Sequence, residues 1–273
     1  MKKVLRQRGV TLIELVMVIT IMGVVAAMVA VFMRQPVDAY VDTSLRGALT
    51  DVADTTLRRM ARDLHKALPN SIRNPNANCI EFIPTRTGSR YRMDDLVPGD
   101  GSGLNFGLAD SSFNMLGRNA DLASDQQIRT GDRIVVYNLG IPGADAYLGD
   151  NTSTVMGVIA GATETTLQIG AKQFPFASPN ARFHVVPSEE SIVSYVCSAG
   201  TLYRNANYGY ANSCPAPTVG STPVMARNVA SCSFSYGGED MQRNALVQLT
   251  LRFSTPDNEM LDLYHEVHVN NTP

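Results

Sequence analysis

Gly9-Val10-Thr11-Leu12-Ile13-Glu14-Leu15-Val16-Met17-Val18-Ile19-Thr20-Ile21-Met22 opens the stretch that decides the fold, an apolar run that continues to Met33. As a helix, Val10 to Met33 extends about 36 Å at roughly 1.5 Å per residue, enough to cross a hydrocarbon core of about 30 Å. Ahead of it, Met1 to Gly9 hold Lys2, Lys3, Arg6 and Arg8 and no acid. The positive-inside rule then predicts a cytoplasmic N-terminus, with the large C-terminal part on the far side of the membrane. Glu14 does not suit a simple anchor. It lies about 6 Å into the run, where an acid costs up to about 3 kcal/mol. No cation follows until Arg34, at the other end of the span. The expected partner is therefore another chain or this chain's own terminus.

Outward from that carboxylate, Arg8-Gly9-Val10-Thr11-Leu12-Ile13-Glu14-Leu15-Val16 resembles the class III signal of type IV prepilins and type II secretion pseudopilins. The resemblance implies that prepilin peptidase cuts between Gly9 and Val10 and methylates the new amine of Val10. Glu14 then becomes the fifth residue of the mature chain and pairs with the N-terminal amine of a neighbouring subunit. A buried carboxylate is tolerable when a charge-assisted hydrogen bond matches it. Val10 departs from the family pattern, in which the first mature residue is usually Phe. Three competing readings are an ordinary signal peptide cleaved after Ala27, a generic single-pass anchor and a chance match of the Gly-x-Thr-Leu-Ile-Glu string. The length of the apolar run and the acid inside it argue against the signal peptide.

Beyond Met33 the helical pattern becomes amphipathic. Val41, Leu45, Leu49, Val52, Met60, Leu64 and Leu68 recur at mostly three- or four-residue spacing, with charged residues between them. Pro36 lacks an N–H and predicts a kink near the outer membrane boundary, and Pro69 predicts the helix end. The whole helix, Val10 to Leu68, would be about 88 Å long.

From Cys79 the sequence turns to strands, predicted at Cys79–Ile83, Arg133–Leu139, Val155–Ile159, Thr165–Ile169, Arg182–Val186, Ile192–Cys197, Thr201–Arg204, Val224–Ala226, Ser231–Tyr236, Leu246–Ser254 and Leu261–Val269. Gly99 to Asn119 reads as loop. The expected fold class is α+β: a long N-terminal helix, membrane-spanning in its first half, packed on an antiparallel β-sheet head. That arrangement matches the pilin fold, with an extra β-rich insertion. The predicted segments are a leader at 1–9, a transmembrane helix at 10–35, its periplasmic half at 36–68 and a head at 69–273 with the insertion around 99–187.

Composition is that of a globular domain, with 44% hydrophobic and 18% charged residues. The net charge is −2, and without the four leader cations the remainder carries −6. No nucleic-acid partner is expected. Cys79, Cys197, Cys214 and Cys232 contain no close pair of the zinc type, and in an exported domain they read as disulfides. Three pairings are open. The one preferred is Cys197–Cys214, closing a short loop after a predicted hairpin, with Cys79–Cys232; four buried free thiols are the competing reading.

No catalytic constellation stands out. His265 and His268 are three apart on a predicted strand and point to opposite faces. Gly99-Asp100-Gly101-Ser102-Gly103 has the glycines of a phosphate loop but neither the preceding strand nor the following helix. Asp145, Asp150 and Glu164 lack calcium-ligand spacing. No metal, cofactor or enzymatic activity is expected.

The segments Arg34–Tyr40, Ala53–Arg59 and Asp63–Arg73, supported by Met225–Val229 and Cys232–Tyr236, look like MshO-type proteins of the mannose-sensitive haemagglutinin pilus system. They are similar, more loosely, to J-type pseudopilins and PilW-type minor pilins. The resemblance implies a minor subunit that initiates or caps a type IV pilus or a type II secretion pseudopilus. Its partners would be prepilin peptidase, other minor and major pilins, the inner-membrane assembly platform and the lipid bilayer. Its place would be the inner membrane with a periplasmic head, or the filament tip at the cell surface. The alternatives are a ligand-binding tip adhesin and an anchored exported enzyme.

Overall fold

The computed structural model describes residues 9–211, 213–237, 244–255 and 259–273. The basic leader residues Met1 to Arg8 lie outside the described residues. The chain divides into two units, one ending at Thr50 and one from Asp51 to Pro273. A single helix, α1 (Leu12–Leu64), passes from the first into the second, with Pro36 inside it.

In the first unit, seventeen large apolar side chains between Val10 and Met33 are 51–82% exposed. Covering such a sleeve with lipid is favourable by on the order of 20 kcal/mol. This is the one helix among the described residues that is long and apolar enough to cross a membrane. Pro36 cannot donate to the Phe32 carbonyl, which is the local reason to expect a bend there.

In the second unit the chemistry of α1 changes. Ala53, Leu57, Met60, Ala61 and Leu64 are buried on one face, while Asp54, Arg58, Arg59 and Arg62 remain exposed. The Arg58–Asp54 ion pair on the wet side (2.7 Å) is exposed and adds little. The helix ends at Leu64, earlier than the expected Leu68. Leu68 N–H instead donates to the Ile83 carbonyl (2.7 Å), and Ala67 bridges to Pro84, so the chain peels away to pair with the sheet.

Fourteen strands follow among the described residues: β1 (Arg73–Asn76), β2 (Cys79–Phe82), β3 (Thr87–Arg90), β4 (Asp110–Met115), β5 (Arg133–Val136), β6 (Thr152–Ala160), β7 (Thr165–Lys172), β8 (Arg182–Val186), β9 (Val193–Ser198), β10 (Thr201–Ala206), β11 (Val224–Arg227), β12 (Val229–Gly237), β13 (Asn244–Ser254) and β14 (Met260–Asn270). All pairings are antiparallel, and the fold is α+β as expected. Three sheets form, in the orders β1-β2-β9-β10-β11, β12-β13-β14 and β3-β8-β5-β6-β7-β4.

The five-stranded sheet lies against the second part of α1. Its register puts Ile80 opposite Tyr195, and Tyr195 opposite Arg204. Directly paired residues share a face, so these three point the same way, toward the helix. There the Tyr195 hydroxyl donates to Asp63 (2.6 Å), and Arg204 reaches Asp63 (2.9 Å) and Glu190 (2.6 Å). Burial, reinforced by the Asp63 charge, pushes the Tyr195 phenol well up, so it stays a donor.

The six-stranded sheet is the elaboration of the head. Its outer strands meet where Tyr91 bridges Met115, with Leu116 N–H donating to the Arg90 carbonyl (2.8 Å) and Arg92 N–H to the Asn114 carbonyl (2.9 Å). The sheet thus curls back on itself into a small barrel, filled by side chains as narrow barrels are. Phe113 sits edge-on to Phe183 (5.4 Å) and to Tyr91 (6.5 Å) within a cluster that includes Ile134, Val155 and Leu167. The stretch Gly99 to Asn119, expected to be loop, contains β4. Only Phe113 and Met115 of β4 are buried, so the strand carries little pattern of its own and is held by pairing with β7.

The disulfides differ from the preferred pairing. Cys79 is bonded to Cys214 and Cys197 to Cys232. Register supplies the reason. Cys79 lies opposite Val196, so Cys79 and Cys197 occupy opposite faces of one sheet. Cys197 shares the Tyr195 face and joins β9 to β12, where Phe234 N–H also bonds the Ala77 carbonyl (2.9 Å). Cys79 lies on the other face and ties down the loop after β10 that carries Cys214. Peptide mapping without reductant is expected to return these two linkages; recovery of a Cys197–Cys214 peptide would contradict them. Replacing Cys197 and Cys232 by Ser opens a 35-residue separation, worth about 4 kcal/mol in chain entropy, and should lower the urea midpoint accordingly.

Candidate functional site

The entry to α1 is built by its own first residues. Gly9 and Val10 precede the helix, and Val10 is 72% exposed. A Cβ on Gly9 would meet nothing within 4 Å. Thr11 caps the helix. Its N–H and its hydroxyl both donate to Oε2 of Glu14 (2.9 and 3.0 Å), and Glu14 N–H reaches back to Thr11 Oγ1 (3.4 Å). This reciprocal arrangement is a capping box, and it satisfies donors that a helix start otherwise leaves open.

Sequence reasoning on Glu14 missed this local partner, although Thr-x-x-Glu before an apolar run is a readable sign of it. The correction has a limit in charge. Thr11 supplies neutral donors to one oxygen, and the negative charge itself still lacks a cation within the apolar helix. Glu14 stands one helical turn from Val10, the residue whose amine becomes terminal if the bond after Gly9 is cut. Pro36 lies far along α1, and the four cysteines are in the second unit, so the predicted residues do not form one site.

Residues 5–30 match the family model of the prokaryotic N-terminal methylation motif. The match takes in the end of the leader, Gly9, Val10, Glu14 and most of the apolar run. It supports a type IV pilin-like prepilin, processed by prepilin peptidase and held in a membrane by its apolar helix. It does not extend to the segments that resemble MshO-type proteins, J-type pseudopilins or PilW. No curated protein and no solved structure matches the chain.

Among the described residues no group of three His, Cys, Asp or Glu side chains is placed to hold a metal ion. On β14, His265 is half-buried and His268 exposed, on opposite faces. Asp100 caps its own loop by accepting from Val97 N–H (3.0 Å) and from Ser102 N–H (2.9 Å). The bonds to Ser102 hold its carboxyl below the usual range. Glu164, in turn, is paired with Arg92 and accepts from Asn114 (3.1 Å), a clasp across the closing strands of the barrel.

A cluster that sequence reading did not find lies on the face of the five-stranded sheet away from the helix. Glu81 is fully buried, paired with Arg73 and bonded by the Tyr208 hydroxyl. The Arg73 guanidinium also bonds the Ala211 carbonyl and stacks 3.8 Å from the centre of the Tyr147 ring. Together with Cys79–Cys214 it fastens the loop after β10 over the sheet.

Proposed function

We propose that this chain is a prepilin of the minor-pilin or pseudopilin type, cut after Gly9 and carried into a filament by its apolar helix. The observation that carries this reading is Glu14: an acid within an apolar sleeve, four residues from the prospective new terminus and without a cation partner among the described residues. A neighbour's Val10 ammonium would supply the missing charge, and methylation of that amine leaves the charge in place. Unpaired subunits would hold the acid at a cost, so correct axial register is selected by the pairing. The N-terminus would lie in the cytoplasm before processing, with the disulfide-bonded head in the periplasm.

The length of the head suits a minor subunit, and the resemblance to MshO-type proteins favours a place in the initiating or capping complex of an MSHA-like pilus. Partners would be the major pilin, other minor pilins and the assembly platform. No reaction is assigned to the chain itself. Mass spectrometry of the N-terminal peptide from the native cell tests the first step. The expected peptide begins at Val10 and is one methyl group heavier than its sequence. A chain beginning at Met1, or one cut after Ala27, would overturn the proposal.

A further inference from the structure

One patch of the barrel carries positive charge that no carboxylate among the described residues pairs with. Pairing of β3 with β8 sets Arg90 opposite Arg182 and Gly88 opposite His184. Paired residues project to the same face with Cβ atoms about 5 Å apart, and residues two apart share that face. Arg90, Arg182 and His184 therefore converge beside the bare backbone of Gly88. Both arginines are exposed. Like charges in this register are destabilising.

Pairing with a carboxylate is common but not general among the head's arginines, since Arg129, Arg133 and Arg227 form no ion pair among the described residues. Arg73, Arg86, Arg92 and Arg204 each hold a carboxylate. Among the described residues neither Arg90 nor Arg182 has one, and no hydrogen bond engages the His184 ring. Burial, and then the Arg182 charge, bring His184 down to about 4, so its ring is neutral near pH 7 and keeps one N–H to donate.

The absence of a side chain at residue 88 makes the hollow. A Cβ there would stand 3.4 Å from His184 Cδ2 and 3.8 Å from Nε2. The hollow measures about 340 Å³, with Arg90 and Arg182 on its walls. Arg90 also borders a second hollow of about 640 Å³, whose lining joins Met93, Leu96, Leu116 and Pro179 to the charged Arg92, Asp94 and Asp95. Met93 and Leu96 are 67% and 58% exposed. Two guanidinium forks side by side fit the oxygens of one oxyanion, and the apolar wall beside them suits the body of an organic ligand.

We infer that the notch formed by Gly88, Arg90, Arg182 and His184 is a binding site for one oxyanion, a carboxylate, sulfate or phosphate, carried by an acidic organic ligand. The site gives the enlarged head a recognition role in addition to filament assembly. It does not depend on cleavage after Gly9, and its failure would leave that step untouched.

The test uses the full chain in detergent micelles at constant ionic strength, titrated separately with inorganic phosphate, inorganic sulfate and glucuronate. The readouts are the His184 ring resonances by NMR and the thermal midpoint. At least one anion is expected to give a saturable shift of His184 and a raised midpoint, and the anion that saturates lowest identifies the headgroup. Arg90→Gln and Arg182→Gln should each weaken the response by about ten-fold, the loss of one charge-assisted contact, and the double variant should abolish it. Gly88→Val, which fills the notch and keeps both charges, should abolish it too. Without anion, Arg182→Gln should melt no lower than the parent, since it relieves repulsion. No saturation with any of the three anions, or unchanged half-saturation in the double arginine variant, would overturn the inference.

Discussion

Glu14→Leu is expected to insert into the bilayer at least as well as the parent and to be absent from filaments. Insertion gains because the substitution removes an acid that costs up to about 3 kcal/mol in the apolar helix. Assembly fails because the neighbour's ammonium is left without its counter-charge. Stranding one partner of a desolvated pair costs roughly 2–5 kcal/mol, so incorporation should fall by at least about 30-fold. The capping box complicates this variant, since Leu also gives up the bonds from Thr11 N–H and hydroxyl. Glu14→Gln separates the two roles. Its amide oxygen accepts the same two bonds and preserves the cap, but it carries no charge. The measurement is the subunit's abundance in sheared filaments against its abundance in membranes. If Gln at this position assembles like the parent, the cap is the whole role of the side chain and the charge-pairing proposal fails.

The legible and illegible parts of this chain divide along a physical line. The apolar run from Val10 to Met33 was readable because composition alone decides it, and α1 was readable to within a turn from its spacing. The end at Leu64 was not, because the residues up to Leu68 have helical spacing and are drawn off by a bond to Ile83, distant in sequence from the helix start. Strands β2, β8, β9 and β13 carry dense β-branched and aromatic content and were found. Strand β1 is Arg73-Asn74-Pro75-Asn76 and β3 is Thr87-Gly88-Ser89-Arg90; neither contains a large apolar residue, and each exists because a neighbouring strand offers an edge. The disulfides were beyond reach for a related reason. Loop length favours Cys197 with Cys214, but the face on which each sulfur emerges is fixed by the register of β2 against β9, and register belongs to the sheet. At the N-terminus the motif residues are all visible in the sequence, and the bonds from Thr11 to Glu14 are written there too, as Thr-x-x-Glu ahead of an apolar run.

Arg73→Ala should cost the head a large part of its stability. Its partner Glu81 is fully buried, and Arg73 is the one cation paired with it among the described residues. Removing the guanidinium strands that carboxylate beside the Tyr208 hydroxyl, an outcome that typically costs about 3–5 kcal/mol. It also takes away the cover over the Tyr147 ring and the clip on Ala211. Burial, and then the Glu81 charge, drive the Tyr147 phenol far above its ordinary range, so the ring stays neutral beside the stranded carboxylate. Lysine should not rescue, because one ammonium cannot reach Glu81 and Ala211 and also lie flat on the ring. The informative comparison is the double variant Arg73→Met with Glu81→Leu, which removes both charges and keeps the volume. If the penalty is a stranded charge, the double variant recovers most of the urea midpoint that Arg73→Ala loses. If it recovers none, the loss lies in the stacking and in the fastening of the loop, and the ion pair is incidental to stability.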